Sequence, residues 1–543
     1  MPAEAAKAAK VATAAIPFGP TLETSSEEIS GGSPEAYNVI ADARGVIRKR
    51  PGLAAYTGVA PATAVDAAGV LGLYLTEQRV AHTTGTAVVS GTHAGVLYAV
   101  GATVNASGGG HNAGRNVYRI AGGTATLVGT GAANEDRLST PAAIATTRFP
   151  RPTFAETEAL LVIAGGAEMG KVDIRPETFS APNFTNPNPD YHEMSFLGGC
   201  PPLASHVFTN SSRICANDTQ LDQTKVRYSD ITQGIVSFAP HESWDPSPGA
   251  AGFFTAEARA DSIVACAENT NDIFLFGRTS LQLFAPDGST TFAPSVTKEA
   301  GCLAAYSPVK VDDGYVWLDH LTRVVSSDGR QWKDVGGAIQ ATLDQLTTPS
   351  DCYGYRYSES FADCVVLRFE ADQETLVLQP GVGWARWALF SAAGDTFTMF
   401  PVLSHHMRQD GGLNVVGLSD GTICTLSLEN ETDLGSAIVA YVSTGFEDRG
   451  SDYLKQSIAV YLTFKRTQAL SEGVVCYLDY RDDLSSEWTT IDIDLGVDDG
   501  NLAPTIPIRT LGTYRRRQWR FRFPDAAGLF LVRAVEQFLT LDV

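Results

Sequence analysis

The chain has 543 residues, of which 44% are hydrophobic and 19% are charged, so it has ample material for a folded core. Its formal net charge of −21 argues against a nucleic-acid-binding surface over the whole molecule, because such surfaces need concentrated lysine and arginine. No apolar run approaches the roughly 18 residues that span a bilayer, so no membrane span is predicted.

The first segment, residues 1–35, is predicted to be an N-terminal arm that becomes ordered on a partner. Its basic residues Lys7 and Lys10 follow an acidic Glu4, and its apolar content is mostly alanine. That composition is a poor match to a secretory signal.

Residues 36–440 contain a strand-turn-strand pattern that returns along the segment. In the clearest copy, apolar runs at 273–276 and 281–285 flank a four-residue turn. Other copies begin near residues 96, 160, 207, 315, 365 and 413. The later copies begin 42 to 50 residues apart, as propeller blades do, whereas longer early intervals indicate loop insertions. The pattern predicts an all-β chain with a β-propeller of about six to eight blades; a large sandwich is the alternative.

Residues 441–543 carry longer, regularly spaced strand patterns. They lie at 457–465, 474–480, 488–495, 506–510, 518–523 and 529–538. Six strands without helical periodicity predict a C-terminal antiparallel β-sandwich-like domain. One helix is predicted after Trp332, where Ile339, Leu343 and Leu346 fall on one helical face.

The residue types that carry chemistry form no catalytic pattern in the sequence. The eight cysteines include no C-x-x-C pair, which favours free buried thiols in a reducing cytoplasm. His405 and His406 are adjacent, so on a strand they point to opposite faces. The carboxylate pair Asp482-Asp483 lies in a predicted turn, where a solvated face is the favoured reading. We therefore predict no enzyme activity, no cofactor and no metal site.

A basic run near the C-terminus is unusual in so acidic a chain. Alternation places Trp519, Phe521 and Phe523 on one strand face and the basic side chains on the other. A protein-facing basic side is favoured over a DNA-facing one. The possible interface residues are Arg515, Arg516, Arg517, Arg520 and Arg522.

Several segments, in order, resemble one family: the packaged-DNA stabilisation proteins, also called tail hub or nozzle proteins, of short-tailed bacteriophages. Early and middle segments are GVIRKRPGL, KVRYSDITQG with SWDP, NDIFLFGRTSLQLF, KEAGCLAAYSPVKVDDGYVWL, and VVSSDG with GAIQATLDQL. Later ones are LSDGTICTLSLENETDLG, CYLDYRDDLSSEW and RTLGTYRRRQWRFRF. Together they cover most of residues 45–540.

The resemblance implies a non-enzymatic virion protein of the phage tail, made in the bacterial host cytoplasm. It implies a homo-hexameric ring below the portal and its head-to-tail adaptor protein, which extends the DNA channel, retains the packaged genome and conducts DNA during ejection. Implied partners are a tail needle or plug, tail spike or fibre proteins, and genomic double-stranded DNA, touched transiently and non-specifically in the lumen.

Two other functions stay open at this stage. One is a carbohydrate-binding or sialidase-like propeller of a tail spike or secreted protein, which would need an arginine cluster, an acid and a tyrosine at the propeller centre. The other is a propeller scaffold for complexes inside a cell.

Overall fold

A computed structural model describes most of the chain. The described residues are 11–19, 34–42, 44–56, 66–76, 83–84, 87–88, 95–105, 114–121, 124–128, 137–139, 151–157, 160–166, 168–174, 194–217, 222–231, 243–244, 251–256, 261–269, 272–287, 291–312, 314–391, 396–408, 412–466, 475–483, 485–495, 503–523 and 529–541.

Blades 1 to 3 of a propeller follow one another in antiparallel order, each beginning with its innermost strand. Blade 1 contains β6 (Val70–Leu75), β9 (Leu97–Asn105), β10 (Gly114–Ala121), β11 (Thr124–Leu127) and β12 (Arg137–Ser139); β7 (Thr83–Thr84) and β8 (Ala87–Val88) pair separately. Blade 2 contains β13 (Thr153–Glu156), β14 (Leu160–Ala164), β15 (Gly170–Asp173) and β16 (Met194–Phe196). Blade 3 contains β17 (Val207–Asn210), β18 (Arg213–Asn217), β19 (Lys225–Tyr228) and β20 (Gly252–Thr255).

Blades 4 to 6 repeat the same arrangement. Blade 4 contains β21 (Ile263–Glu268), β22 (Ile273–Gly277), β23 (Leu281–Asp287) and β24 (Thr291–Lys298). Blade 5 contains β25 (Val309–Val311), β26 (Gly314–Leu318), β27 (Val324–Ser327) and β28 (Trp332–Asp334). Blade 6 contains β29 (Tyr353–Glu359), β30 (Ala362–Phe369), β31 (Glu374–Gln379) and β32 (Gly383–Arg386), followed by a hairpin of β33 (Ala388–Ser391) and β34 (Thr396–Met399).

Blade 7 closes the ring with a strand from the other end of the chain. Its consecutive strands are β35 (Val402–Met407), β36 (Asn414–Leu418) and β37 (Ile423–Ser427), and its outermost strand is β5 (Gly52–Ala55). The short β38 (Thr432–Asp433) pairs with β5 and with β39 (Ser436–Ala437). Blade 7 packs on blade 1, because Val415 and Ile423 share one cluster with Val70 and Leu97.

The blades pack face to face around the ring, which explains why β22 and the centre of β30, in the middle of their blades, are apolar. In β30, Val365 and Leu367 face blade 5, whereas Cys364 and Val366 face blade 7. Such a strand is buried on both faces and therefore needs no polar alternation. The predicted all-β propeller is confirmed, and each of the seven predicted hairpins lies in one of the seven blades.

A β-sandwich packs beside the propeller. Its C-terminal strands are β40 (Tyr441–Ser443), β41 (Leu454–Arg466), β42 (Val475–Asp482), β43 (Thr489–Asp494), β44 (Thr505–Arg509), β45 (Thr513–Tyr514), β46 (Arg517–Arg522) and β47 (Leu529–Leu541). Its N-terminal strands are β1 (Val11–Ala15), β2 (Glu35–Tyr37), β3 (Val39–Ala41) and β4 (Ile47–Lys49). Leu462, Phe464, Leu478, Trp519 and Phe521 are in its core, so the predicted C-terminal sandwich is confirmed.

The N-terminal strands correct two predicted boundaries. Residues 1–35 are predicted to be an arm, yet β1 pairs antiparallel with β47 inside the sandwich; residues 1–10 and 20–33 lie outside the described part. Residues 36–49 are predicted to belong to the propeller, yet β3 and β4 pair in the sandwich sheet. Both differences arise because β1 and β4 pair with β47, hundreds of residues away, which local pattern does not reveal.

The sandwich and the propeller share one sheet. β2 pairs in parallel with β32 of blade 6 through Tyr37 and Arg386, and antiparallel with β40 of the sandwich. The result is a continuous nine-stranded sheet that runs from the propeller axis to β43. Backbone pairing at β2 therefore joins the two domains.

The predicted helix is short and the cysteines are free. Helix α1 (Gln340–Leu343) follows a 3₁₀ turn at Gly337–Ile339, and Ile339 and Leu343 are buried between blades 5 and 6. A second 3₁₀ turn is Pro349–Asp351. All eight cysteines are unpaired, and seven are buried. Within the described residues, no helix is long and apolar enough to cross a membrane.

Candidate functional site

The propeller axis holds a cavity of about 200 Å³ at the end where the innermost strands begin. Every blade or its lead-in segment contributes lining atoms. Representatives are Gly72, Pro152, His206, Ala265, Tyr306, Tyr353 and His405. At about 30 Å³ for each water molecule, the cavity has room for roughly seven waters. A second space of about 470 Å³ lies further along the axis, where Glu156, Glu268 and Lys310 contribute to its lining.

Arg151 is the charged side chain in the first cavity. It lies just before β13, and its guanidinium carbon is 3.9 Å from the centre of the Tyr353 ring. One of its terminal nitrogens donates to the carbonyl oxygen of Leu403 in blade 7. Sequence reasoning missed Arg151, because a single arginine in FPRPTF has no recognisable motif; its place at the start of an innermost strand is the only signal.

His206 is held between two neighbours at the wall of the cavity. Its Nε2 lies 3.0 Å from the Ala305 carbonyl oxygen, which can only accept, so Nε2 carries the proton. Its Nδ1 is 2.9 Å from Ser205 Oγ, and its ring stacks on Tyr306. Burial lowers the pKa of His206 to about 4, so the ring is neutral at physiological pH.

His405 and His406 point to opposite faces of β35, as predicted. His405 stacks on Tyr355 of blade 6, and its Nε2 is 3.0 Å from Asn414 Oδ1. His406 lies against Tyr74 of blade 1. Burial lowers the pKa of His405 to about 3 and that of His406 to about 4. Both rings are therefore neutral packing groups between blades.

Three arginines of the predicted basic interface are paired inside the sandwich. Arg517 is buried and forms a two-point ion pair with Asp482, at 2.6 and 2.7 Å. Arg520 and Arg522 converge on the fully buried carboxylate of Asp479, with nitrogen to oxygen distances of 2.7 to 2.9 Å. The predicted aromatic face is also observed, since Trp519 and Phe521 are buried.

Arg515 and Arg516 remain exposed next to these pairs. Their backbone N–H groups both donate to Asp483 Oδ1, at 3.0 and 2.9 Å. The Arg516 side chain is half exposed and lies 3.4 Å from Asp452. Asp483 is exposed, as the sequence suggests, whereas Asp482 is partly buried against Arg517; both organise the basic turn. The outer surface left for a partner is thus two arginines, and their role as an interface stays a prediction.

A second buried charge cluster lies beside this turn. Glu447 pairs through its backbone with Arg517, and its carboxylate contacts Arg449. Arg449 also donates to Glu536 at 3.1 Å and to the Ala15 carbonyl oxygen of β1 at 3.0 Å. Two carboxylates therefore share one guanidinium. Burial raises the pKa of Glu447 to about 7; Arg449 opposes that shift, and Glu536 adds to it.

This cluster predicts that stability falls as the pH rises through the range from about 4.5 to 7. The folded protein retains a proton on Glu447 in that range, whereas the unfolded chain has released it, so deprotonation disfavours the folded state. The Glu447→Gln variant keeps a neutral side chain at every pH. We expect it to match the original protein at pH 5 and to be on the order of 2 kcal/mol more stable at pH 8.

Urea unfolding at the two pH values measures this difference. Glu487→Gln is the matched control, because Glu487 is exposed on the neighbouring β42–β43 connection. Taking the difference between each variant and the original chain cancels the titration of other groups. The same pH dependence in the Glu447→Gln and Glu487→Gln proteins would contradict the assignment.

Comparisons with known proteins add little to these contacts. No family model matches the chain, and no curated protein matches it. The N-terminal domain of Nup159 is 11% identical over 50% of this chain and 74% of its own, with a TM-score of 0.29. The extracellular domain of the two component system BT4673 from B. thetaiotaomicron is 7% identical over 81% of this chain and 47% of its own, with a TM-score of 0.37.

A third solved structure is an exo-beta-1,3-galactanase from Phanerochaete chrysosporium with galactose. It is 9% identical over 71% of this chain and 95% of its own, with a TM-score of 0.24. This chain spans about half the length of the BT4673 domain. Similarities this weak carry no functional argument, and the fold rests on the strand pairing itself.

Proposed function

We propose that this chain is a structural protein of a short-tailed phage tail, and that copies of it form a ring around the DNA path below the portal and adaptor. The observation that carries the proposal is the ordered series of segments that resemble tail hub proteins. Two of those segments contain strands that connect parts of the fold: GVIRKRPGL contains β4 and the first two residues of β5, and RTLGTYRRRQWRFRF contains β45 and β46.

The shared nine-stranded sheet supports a mechanical role. A tail ring must resist the pressure of packaged DNA, so its domains should not hinge. Here blade 6 and the sandwich are joined by backbone hydrogen bonds through β2, and blade 7 is completed by β5 from the N-terminal segment. Strands from the N-terminal segment therefore connect the propeller to the C-terminal sandwich.

The size of the axial cavity constrains where DNA would pass. A space for roughly seven waters, crossed by Arg151 and by aromatic rings, cannot admit a duplex. The DNA path in the proposed ring therefore lies between copies of the chain and not along the propeller axis. Six copies with a formal charge of −21 each would repel the phosphate backbone where their acidic surfaces face the path.

The proposal is tested by locating the chain in purified particles. Antibody label should appear at the tail vertex, below the portal, in particles that still contain DNA. Label on the capsid shell, or on fibres that extend from the tail, would contradict a ring around the DNA path.

A further inference from the structure

We propose that the axial cavity of the propeller binds a small oxyanion, carried by a carboxylate or phosphate group, through Arg151. This site is separate from the tail-ring proposal and does not depend on it. It rests on the donors of Arg151, the charge around this side chain and the size of the cavity.

Arg151 lines the cavity, and two of its nitrogens make no hydrogen bond to a described residue. Its side chain is 7% exposed. Within the described part of the chain, Nη1 donates to Leu403, whereas Nη2 is 3.8 Å from Glu370 Oε2, which is beyond hydrogen-bonding distance. Nε makes no hydrogen bond to a described residue. A guanidinium offers five N–H donors in one plane, and the fork of Nε and Nη2 matches two oxygens of a carboxylate or phosphate.

A second buried arginine next to Arg151 also has unused donors. Arg368 lies on β30 opposite Tyr353, and its side chain is 1% exposed. Its Nη1 contacts Glu370, while its Nε and Nη2 are buried without a hydrogen-bond partner among the described residues. Arg368 is not among the residues that line the cavity, but it shares Glu370 with Arg151. Buried donors normally have partners, so the spare N–H groups of Arg151, with a second buried arginine close by, indicate a site for an acceptor.

The charge around Arg151 is positive. Arg368 acts on it electrostatically with the same sign of charge, and Glu370 acts on it with the opposite sign. Glu370 is half exposed and serves both Arg151 and Arg368. The neighbouring His206 and His405 rings are neutral and do not change this balance. A buried excess of positive charge is costly, and a bound anion would offset it.

The cavity limits the ligand to a small molecule. Its volume of about 200 Å³ suits a free phosphate or one sugar ring that carries a carboxylate. The Tyr353 ring below Arg151 and the Tyr306 ring on the wall offer flat apolar surfaces to such a body. The shared chemistry of these ligands is the oxyanion.

Isothermal titration of the full chain with phosphate, D-glucuronate and neutral D-glucose tests the site. We expect saturable binding of phosphate or glucuronate with a Kd of about 1 mM or below, and no binding of glucose. Binding of phosphate alone would identify a free-ion site, and binding of glucuronate alone would identify a site for acidic sugars. Arg151→Gln should weaken binding about tenfold or more, because it removes a charge-assisted hydrogen bond.

Arg44→Gln is the matched control, because Arg44 is 81% exposed and its side chain pairs with Asp42, away from the residues that line the cavity. Its binding should equal that of the original chain. No saturable binding of either anion, or equal binding by a folded Arg151→Gln protein, would overturn the proposal. If circular dichroism shows that Arg151→Gln does not fold, crystals of the original chain soaked in selenate provide the test. An anomalous peak beside Arg151 is expected. A soaked crystal without that peak would overturn the proposal.

Discussion

Replacing Arg50 with methionine should lower the free energy of unfolding by about 3–5 kcal/mol, because it leaves a buried carboxylate without its partner. The Arg50 side chain is fully buried and forms a two-point ion pair with Asp433, at 2.6 and 2.9 Å. Its other donors bond Asn38 Oδ1 and the carbonyl oxygens of Pro51 and Ala388. The Arg50 side chain thus bonds to three parts of the fold: Asn38 next to β3 of the sandwich, Pro51 next to β5, which closes the ring, and Ala388 in the β33–β34 hairpin.

Urea unfolding followed by tryptophan fluorescence measures this effect, with Arg44→Met as the control. Arg44 forms an exposed ion pair with Asp42, so its replacement should cost about 1 kcal/mol or less. Replacing Asp433 with leucine together with Arg50→Met should recover part of the loss, because no unpaired carboxylate then remains buried. Similar losses for Arg50→Met and Arg44→Met would show that Arg50 does not join the domains.

The second large effect is expected at Asp479. Asp479→Ala should cost about 3 kcal/mol at pH 7, since it leaves Arg520 and Arg522 without their shared carboxylate. The Asp479 side chain is fully buried, and it also accepts a hydrogen bond from Thr490 Oγ1 at 2.8 Å. The two arginines are one quarter to one third exposed, so water can replace part of the lost interaction.

The loss at Asp479 should depend on pH in a defined direction. Burial alone would raise the pKa of Asp479, but the hydrogen bonds from Arg522, Arg520 and Thr490 outweigh it and hold the pKa below its usual value. The stabilisation is therefore present above the usual carboxylate pKa and disappears as the pH falls through the lower folded value. Denaturant titrations of Asp479→Ala at pH 7 and at pH 3 should show a smaller loss at pH 3.

Asp492→Ala is the control for the Asp479 variant. Asp492 lies on the adjacent strand β43 and is exposed, so its replacement should change stability by about 0.5 kcal/mol or less. An equal effect of the two aspartate variants would mean that the arginine pair does not stabilise the sandwich.

The repeating architecture was predictable because each strand and turn has a recognisable pattern in a short stretch of sequence. β22 and the centre of β30 are apolar, since each strand is covered by a blade on either side, and a short turn follows each of them. The six predicted C-terminal strands overlap β41, β42, β43, β44, β46 and β47, because these strands are also recognisable from local sequence patterns. The alternation along β46 also correctly predicted that Trp519 and Phe521 lie on one face of the strand and Arg520 and Arg522 on the other.

Features that depend on distant pairing were not predictable. β5 completes blade 7 by pairing with β37, more than 360 residues away, and β1 pairs with β47 across more than 500 residues. Short strands such as β2 carry too few residues for a period to be recognised. The axial cavity depends on where seven strands meet, so Arg151 and Arg368 look like isolated arginines in the sequence.

The most direct test of the tail-ring proposal is the copy number of this chain in purified phage particles from its source. Quantitative mass spectrometry can measure it against the portal protein, which should form a ring of about twelve copies as the resemblance implies. The account predicts about one copy of this chain for every two copies of the portal. Absence of the chain from the particles would contradict the account.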